Sequence, residues 1–275
     1  MTAPEIKQIP TYATPLIETH CHLDYLQQAD PAAMVARAQQ QGVQRLVTIA
    51  VAPENLDVVR TIAAQHAAVY CTQGVHPHEA ALYNAEVGQK IRAAAASDPK
   101  VVAIGEIGLD YHYDHSPRQQ QQEAFAEQLQ IACDLSLPIV VHTRNADADT
   151  QAILADFVRH GLRGVIHSFT SGLALAQFCL QEGFALGFNG IITFRSADNV
   201  RAVLAQAPLP QILLETDAPY LTPVPFRGRE NAPFYLPLVA QAVATEKGLD
   251  VEAVIAQTTR NAQQLFFPQL PSLVA

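Results

Sequence analysis

Five histidines and two acidic residues lie where a folded chain could gather catalytic side chains. Each stands at or just after the end of a short apolar segment of the kind that forms buried β-strands. Imidazole and carboxylate groups are common ligands of divalent metals, and they also move protons. The seven residues are His20, His22, His76, Glu106, His142, His167 and Asp217. A fold that brought them together would form a metal centre.

The spacing of the first two histidines suits chelation. His20 and His22 are two positions apart, so on an extended strand both side chains point to one side while Cys21 points to the other. Surface and core histidines also show this spacing, and alone it indicates little. At the end of a first strand, together with the other five residues, it predicts a metal site.

Glu106 stands in an otherwise apolar stretch with a glycine on either side of it, Ile104-Gly-Glu-Ile-Gly108. Burying an unpaired carboxylate is costly, so this side chain needs a cation. A structural salt bridge with an arginine is one possibility, and a carboxylate that bridges two metal ions is the functional one. The flanking glycines leave space for the second.

His142 and His167 are each the first polar residue after a buried apolar run. Either one alone could be a hydrogen-bonded core histidine, but two at matching places in successive strands favour metal ligation. Asp217 has Glu215 two positions before it, on the same side of a continued strand. Spacing alone leaves both carboxylates open as ligands.

Strands and helices alternate along the sequence. Eight β-rich runs occupy residues 15–19, 45–50, 69–75, 101–104, 138–141, 164–166, 184–188 and 211–214, and helical stretches occupy 31–41, 53–66, 79–96, 118–135, 147–160, 173–181 and 197–206. Eight such units predict a single (β/α)8 TIM-type barrel of the α/β class, in which the strand ends meet on one face. Two further helices, at 233–246 and 251–266, complete the outer ring. We expect residues 1–275 to form one domain.

Composition narrows the class of protein. With 17 basic and 26 acidic side chains, the formal charge of −9 argues against a protein that coats nucleic acid through a basic surface, so a polyanion must be held locally, for example by metal ions. The four cysteines are far apart, which predicts reduced, buried thiols. The N-terminus has no signal-peptide pattern, and no apolar run is long enough to span a membrane. We expect a cytoplasmic protein that needs neither a membrane nor an obligate protein partner.

These motifs resemble the TatD-type deoxyribonuclease family, within the amidohydrolase superfamily of metal-dependent barrels. The resemblance covers nearly the whole chain. It depends on THCHLD (19–24), GVHPH (74–78), GEIGLDY (105–111), PIVVH (138–142), HSFT (167–170), ETDAPY (215–220) and PFRGREN (225–231). One departure is visible, because the family usually has aspartate where this chain has Glu18. The change concerns a contact beside the first strand rather than a metal ligand.

The resemblance implies a role for each residue. It makes His20, His22 and Asp217 ligands of one metal ion and His142 and His167 ligands of the other, and it places Glu106 between the two ions. It also selects Asp217 over Glu215. The implied activity is that of a DNase of the 3′-5′ exonuclease type, acting on DNA ends.

A two-metal centre can activate water and polarise a phosphoryl oxygen, with hydrolysis and no covalent intermediate. Asp217 is the candidate for orienting or deprotonating the water, and Glu106 is the second catalytic residue. His76, Arg144 and Arg195 are candidates for contacting phosphate, whereas ordinary surface charge is the alternative for the arginines, including Arg227 and Arg229. For His78 and Asp110 too, the sequence does not decide between a role in the site and an ordinary surface position. The ligand types accept Zn, Mn or Mg.

Two other functions are compatible with the sequence. The same centre could hydrolyse an ester or amide, as in an aminoacyl-tRNA deacylase, because activated water attacks carbonyl carbon as well as phosphorus. Glu106 in the bridging place, where other barrels of this type have a lysine, favours the nuclease. A noncatalytic metal-binding scaffold that uses the loop at 219–231 is the more distant alternative.

Overall fold

Eight parallel strands form a nearly closed barrel in the computed structural model, which describes residues 8–274. The strands pair in sequence order, and a parallel bridge between Cys21 and Ala218 joins the end of the first strand to the segment after the last. The strands are β1 (Leu16–Cys21), β2 (Val43–Thr48), β3 (Val69–Gln73), β4 (Val101–Asp110), β5 (Ile139–Arg144), β6 (Gly164–Ile166), β7 (Ala185–Phe188) and β8 (Ile212–Leu214). The predicted TIM-type barrel is confirmed.

Helices connect the strands and cover the outside of the barrel. In residues 8–274 they are α1 (Pro31–Gln40), α2 (Leu56–Gln65), α3 (Ala85–Ser97), α4 (Arg118–Leu135), α5 (Asp147–Val158), α6 (Leu173–Gln181), α7 (Asp198–Gln206), α8 (Leu236–Lys247) and α9 (Val251–Phe266). Short 3-10 segments occur at Pro77–Leu82, Gly190–Thr193, Leu209–Gln211 and Pro233–Tyr235. None of the helices in the described part of the chain is long and apolar enough to cross a membrane. Residues 1–7, where the sequence shows no signal-peptide pattern, lie outside the described residues.

Two separate apolar clusters position the site. The larger cluster fills the space between the strands and the outer helices. The smaller one fills the barrel interior with residues such as Val47, Val140 and Leu213, and it includes Phe266 and Phe267 at the end of α9. The ring of Phe267 contacts Tyr70 and Arg45, which lie near the starts of β3 and β2. Apolar packing therefore covers the amino end of the barrel, and the opposite, carboxyl end is left to polar side chains.

Two predicted elements differ most from the structure. The helix predicted at 79–96 is interrupted, because the side chain of Asn84 accepts hydrogen bonds from the N–H groups of Glu86 and Val87 and so begins α3 one residue later. The fourth strand, predicted to end at Ile104, continues to Asp110. Its last residues are buried against β5, which is a contact between distant parts of the sequence.

Candidate metal centre

Glu106 lies at the middle of a cluster of imidazoles. In the pairing of β4 with β5, Gly105 is opposite Val140 and Ile107 is opposite Val141, so Glu106 is an extra residue at an irregularity. Such an irregularity redirects a side chain. The Glu106 carboxylate is only 3% exposed and contacts histidines from β1, β5 and the segments after β3 and β6.

One side of the cluster contains His20, His22 and Asp217. Oδ1 of Asp217 lies 3.8 Å from Nε2 of His20 and 3.5 Å from Nε2 of His22. Oε2 of Glu106 lies 3.4 Å from the same nitrogen of His20. The backbone fixes this group, because the N–H of Asp217 donates to the carbonyl of His20 across the barrel closure.

The other side contains His142 and His167, and there Glu106 uses its second oxygen. Oε1 of Glu106 lies 2.7 Å from Nε2 of His167 and 3.2 Å from Nδ1 of His142, and the two nitrogens are 3.4 Å apart. Nε2 of His76 lies 3.5 Å from Oε1 as well. The structure therefore places His76 in the same cluster, at nearly the distance from Glu106 that His20 has, 3.4 Å.

The distances between these donor atoms fit residues that share a metal ion. Two ligands about 2.1 Å from one tetrahedral zinc ion are roughly 3.4 Å apart. His20, His22 and Asp217 form one group that can hold an ion, and His76, Glu106 and His142 form another. In addition, Nε2 of His20 is buried and has no hydrogen-bond partner among the described residues. Buried polar atoms are usually satisfied, so an unpaired nitrogen aimed at two carboxylates suits a cation between them.

Electrostatics keep both carboxylates ionised. Burial raises the pKa of Glu106, but the charges of His167, His76 and His20 outweigh burial and hold that pKa well below its ordinary value. Burial likewise raises the pKa of Asp217, and the contacts with His22 and His20 lower it below its ordinary value. Ionised carboxylates are the form that binds a metal ion.

The structure also shows a contact that sequence reasoning left undecided, between Asp110 and two histidines. Oδ2 of Asp110 lies 2.9 Å from Nε2 of His142 and 3.0 Å from Nε2 of His78. The sequence could have indicated this contact, because side chains alternate along a strand and positions 106, 108 and 110 therefore share one side of β4. It was missed because the strand was predicted to end at Ile104.

Glu215 and Asp217, which spacing could not distinguish, have different surroundings. Asp217 faces the Nε2 atoms of His20 and His22, whereas Oε1 of Glu215 accepts a hydrogen bond from the Ser168 N–H at 2.6 Å and lies 3.7 Å from Nδ1 of His167. His20, His167 and Glu215 also lie close enough to hold an ion. The hydrogen bond from Ser168 occupies only Oε1 of Glu215, whereas Oε2 of Glu215 is buried and has no hydrogen-bond partner in residues 8–274. Asp217 thus lies beside His20 and His22, and Glu215 lies beside His167.

Glu18, the departure from the family pattern, closes the barrel. Its Oε1 accepts hydrogen bonds from the N–H groups of His20, at 3.0 Å, and Thr216, at 2.9 Å. Burial is the main cause that raises the pKa of Glu18 to about 8. The longer side chain thus links β1 with the segment after β8, beside the first donor group.

The predicted phosphate contacts differ in position. His76 is buried inside the cluster. Arg144 is the last residue of β5, Arg195 lies in the segment after β7, and both are exposed. Neither guanidinium forms an ion pair with any residue in the range 8–274. Arg227 and Arg229 are exposed too, and they lie over the rings of Phe194 and Phe226.

The family described as TatD related DNase matches residues 17–267 of this chain. The metal-dependent hydrolase YabD of Bacillus subtilis is 36% identical over 252 residues, covering 91% of this chain and 98% of that protein. The 3′-5′ ssDNA/RNA exonuclease TatD of Erwinia amylovora is 38% identical over 244 residues, covering 86% and 93%. The crystal structure of the TatD homologue YJJV from Escherichia coli K12 has a TM-score of 0.87 and 31% identity, covering 93% and 98%.

The barrel, the cluster around Glu106 and these relatives define a metal-dependent hydrolase. The chain belongs to the TatD related DNase family. This membership confirms the resemblance that the seven sequence motifs indicated.

Proposed function

We propose that this protein removes nucleotides from the 3′ ends of DNA by hydrolysing phosphodiester bonds, with two divalent cations held around Glu106. The observation that carries the proposal is that Glu106 presents one oxygen to His20 and the other to His142 and His167. A relative that is 38% identical is named as a 3′-5′ exonuclease on single-stranded DNA and RNA, which supports the substrate and the direction.

His20, His22 and Asp217 would hold the first ion, and His142 and His167 the second, with Glu106 shared between them. His76 is either a further donor to the second ion or a contact for phosphate, because its Nε2 is 3.5 Å from Glu106. The mixture of imidazole and carboxylate accepts Zn, Mn or Mg.

Bound cations would supply a water molecule of lowered pKa and stabilise charge on the phosphoryl oxygens. Asp217 would orient the attacking water and accept its proton at a carboxylate oxygen. The contacts with His22 and His20 lower the pKa of Asp217 and keep it in the ionised form that this role requires. Glu106 holds the donor groups in place. The exposed guanidinium groups of Arg144 and Arg195 bind phosphate oxygens of the nucleic acid.

The acidic composition fits local rather than general binding of a polyanion. A formal charge of −9 repels DNA from most of the surface. Arg144 and Arg195 are free of ion pairs within the described residues and stand at the end of the barrel where the cluster lies. They and the cations give this face the positive charge that the rest of the chain does not provide.

The test is product analysis on single-stranded and duplex DNA labelled at either end, with metal-stripped protein and with Zn, Mn or Mg added in turn. We expect nucleotides released from the 3′ end only when a metal is present. Full cleavage by the metal-stripped protein would reject the mechanism. Parallel assays with aminoacyl-tRNA and a small amide identify the ester or amide hydrolase alternative, which a faster reaction on those substrates would establish.

A further inference from the structure

Exposed phenylalanine and tyrosine rings are confined to one face of the described part of the protein. Among the phenylalanines and tyrosines of residues 8–274, the exposed side chains are Tyr25, Tyr113 and Tyr220, at 38%, 51% and 53%. Each follows the carboxyl end of a strand, Tyr25 after β1, Tyr113 after β4 and Tyr220 after β8. All three therefore stand at the end of the barrel that carries the metal cluster.

Tyr25 and Tyr220 border the first donor group. The ring of Tyr25 lies 5.4 Å from that of His22 with the planes only 16° apart, and Tyr220 meets His22 edge-on at 6.2 Å. The N–H of Tyr220 also donates to the carbonyl of Asp217, which ties this ring to the site. The two tyrosines thus approach the same ligand from different loops.

Tyr113 stands on the other side, near the second donor group. Its ring meets His78 edge-on at 5.4 Å, and His78 contacts Asp110, the partner of His142. The guanidinium carbon of Arg144 lies 4.9 Å from the centre of the Tyr113 ring. An aromatic ring and an unpaired cation are therefore adjacent at this edge of the site.

This arrangement supplies the affinity that the acidic surface lacks. Stacking on an aromatic side chain contributes about 1–3 kcal/mol for each base and does not depend on sequence.

We propose that Tyr25 with Tyr220 holds one unpaired base and Tyr113 holds another, on the two sides of the phosphate that is cleaved. The inference rests on the proposed function and names the residues that select the substrate. A base inside a duplex has both faces covered by its neighbours, so these positions favour frayed or single-stranded ends.

The experiment compares the alanine variants of the three tyrosines on a single-stranded oligonucleotide and on the same strand with an abasic residue at the last or the penultimate position. Each alanine variant should raise KM about 5- to 100-fold on the intact strand, with a much smaller change in kcat. When the abasic residue replaces the base that a given tyrosine holds, the alanine variant of that tyrosine and the wild type should have the same KM. Phenylalanine variants, which keep the ring, should restore most of the affinity.

The matched control is Leu249→Ala, which removes an exposed apolar side chain just after the end of α8, at the end of the barrel opposite the metal cluster, and should leave KM unchanged. Equal losses on intact and abasic strands would overturn the inference, as would alanine variants with the wild-type KM. If the wild-type protein cleaves no nucleic acid with Zn, Mn or Mg, the proposed function fails first, and the stacking sites fail with it. Circular dichroism of each variant verifies the fold.

Discussion

Asp110 and Glu106 contact opposite nitrogens of the His142 ring. Its Oδ2 lies 2.9 Å from Nε2 of His142, and Nδ1 of the same ring lies 3.2 Å from Glu106. Asp110 is itself fixed, because its Oδ1 accepts hydrogen bonds from the N–H groups of His112 and Tyr113. A carboxylate behind a histidine orients the ring and raises its basicity as a ligand.

Asp110→Asn should therefore weaken metal binding without changing the fold. The amide cannot hold the proton on Nε2 of His142 as a carboxylate does, and loss of such a partner typically lowers metal affinity about 10- to 100-fold. Competition with a chromophoric chelator measures the affinity of the metal-free variant directly, and circular dichroism verifies the barrel.

Asp114→Asn is the matched control, because Asp114 is exposed and contacts Arg118 rather than a site histidine. Its metal affinity should equal that of the wild type. An Asp110→Asn protein that binds metal as tightly as this control would show that the contact with His142 does not orient the ring.

Glu106→Ala should remove at once the contacts of Glu106 with His20 and with the pair His142 and His167. We expect turnover to fall on the order of 10³-fold or more, because charge stabilisation by two cations contributes several kcal/mol, and we expect fewer than two metal ions per chain. Elemental analysis and single-turnover assays measure the two effects. Glu123→Ala, at an exposed residue of α4, is the control. A Glu106→Ala protein with full metal content and turnover would contradict the role of Glu106.

Most of the barrel could be predicted because its signals are local. Each strand is an apolar run, and the polar residue at its end marks the face where the strands meet. For this reason the sequence predicts that His20, His142 and His167 lie near one another, and in the structure each of them contacts Glu106. The prediction that residues 1–275 form one domain stays a prediction.

What could not be predicted depends on contacts between distant residues. The end of β4 lies beyond Gly108 because β5 pairs with it, and no local apolar run marks that extension. Asp110 and His142 are 32 positions apart, so their contact exists only in the folded chain. Spacing puts Glu215 and Asp217 on one side of a strand, but the backbone turns at Asp217, where φ is 56°, and separates them.

Glu18→Gln should change how stability depends on pH. Glu18 ionises at about 8 in the folded protein against an ordinary value of 4.5, because of its burial. Between these values the folded state binds one more proton than the unfolded state, so the free energy of unfolding falls as pH rises. Glutamine keeps an oxygen for the N–H groups of His20 and Thr216 but cannot ionise.

The free energy of unfolding in urea at pH 5.5 and pH 8.5, measured on metal-free protein, tests this expectation. The wild type should lose stability relative to Glu18→Gln across that interval, on the order of several kcal/mol. Glu246→Gln, at an exposed carboxylate on α8, is the comparison for a general effect of removing a negative charge. Parallel pH curves for wild type and Glu18→Gln would contradict a raised pKa.

The four cysteines should differ in reactivity. The structure confirms free thiols that are buried at Cys21, Cys71 and Cys179, but Cys133 is only half-buried, so the prediction of four buried thiols was wrong there. Burial raises the pKa of Cys71 and Cys179 to about 12 and that of Cys21 well above its ordinary value, and only the thiolate reacts. At pH 8 a disulfide reagent should therefore modify at most one thiol in the native protein, that of Cys133. This reaction should be slow, because burial also raises the pKa of Cys133. In guanidinium the reagent should modify all four thiols. Cys133→Ser should abolish the native reaction, whereas rapid modification of two or more native thiols would mean that the space between the strands and the outer helices opens to solvent.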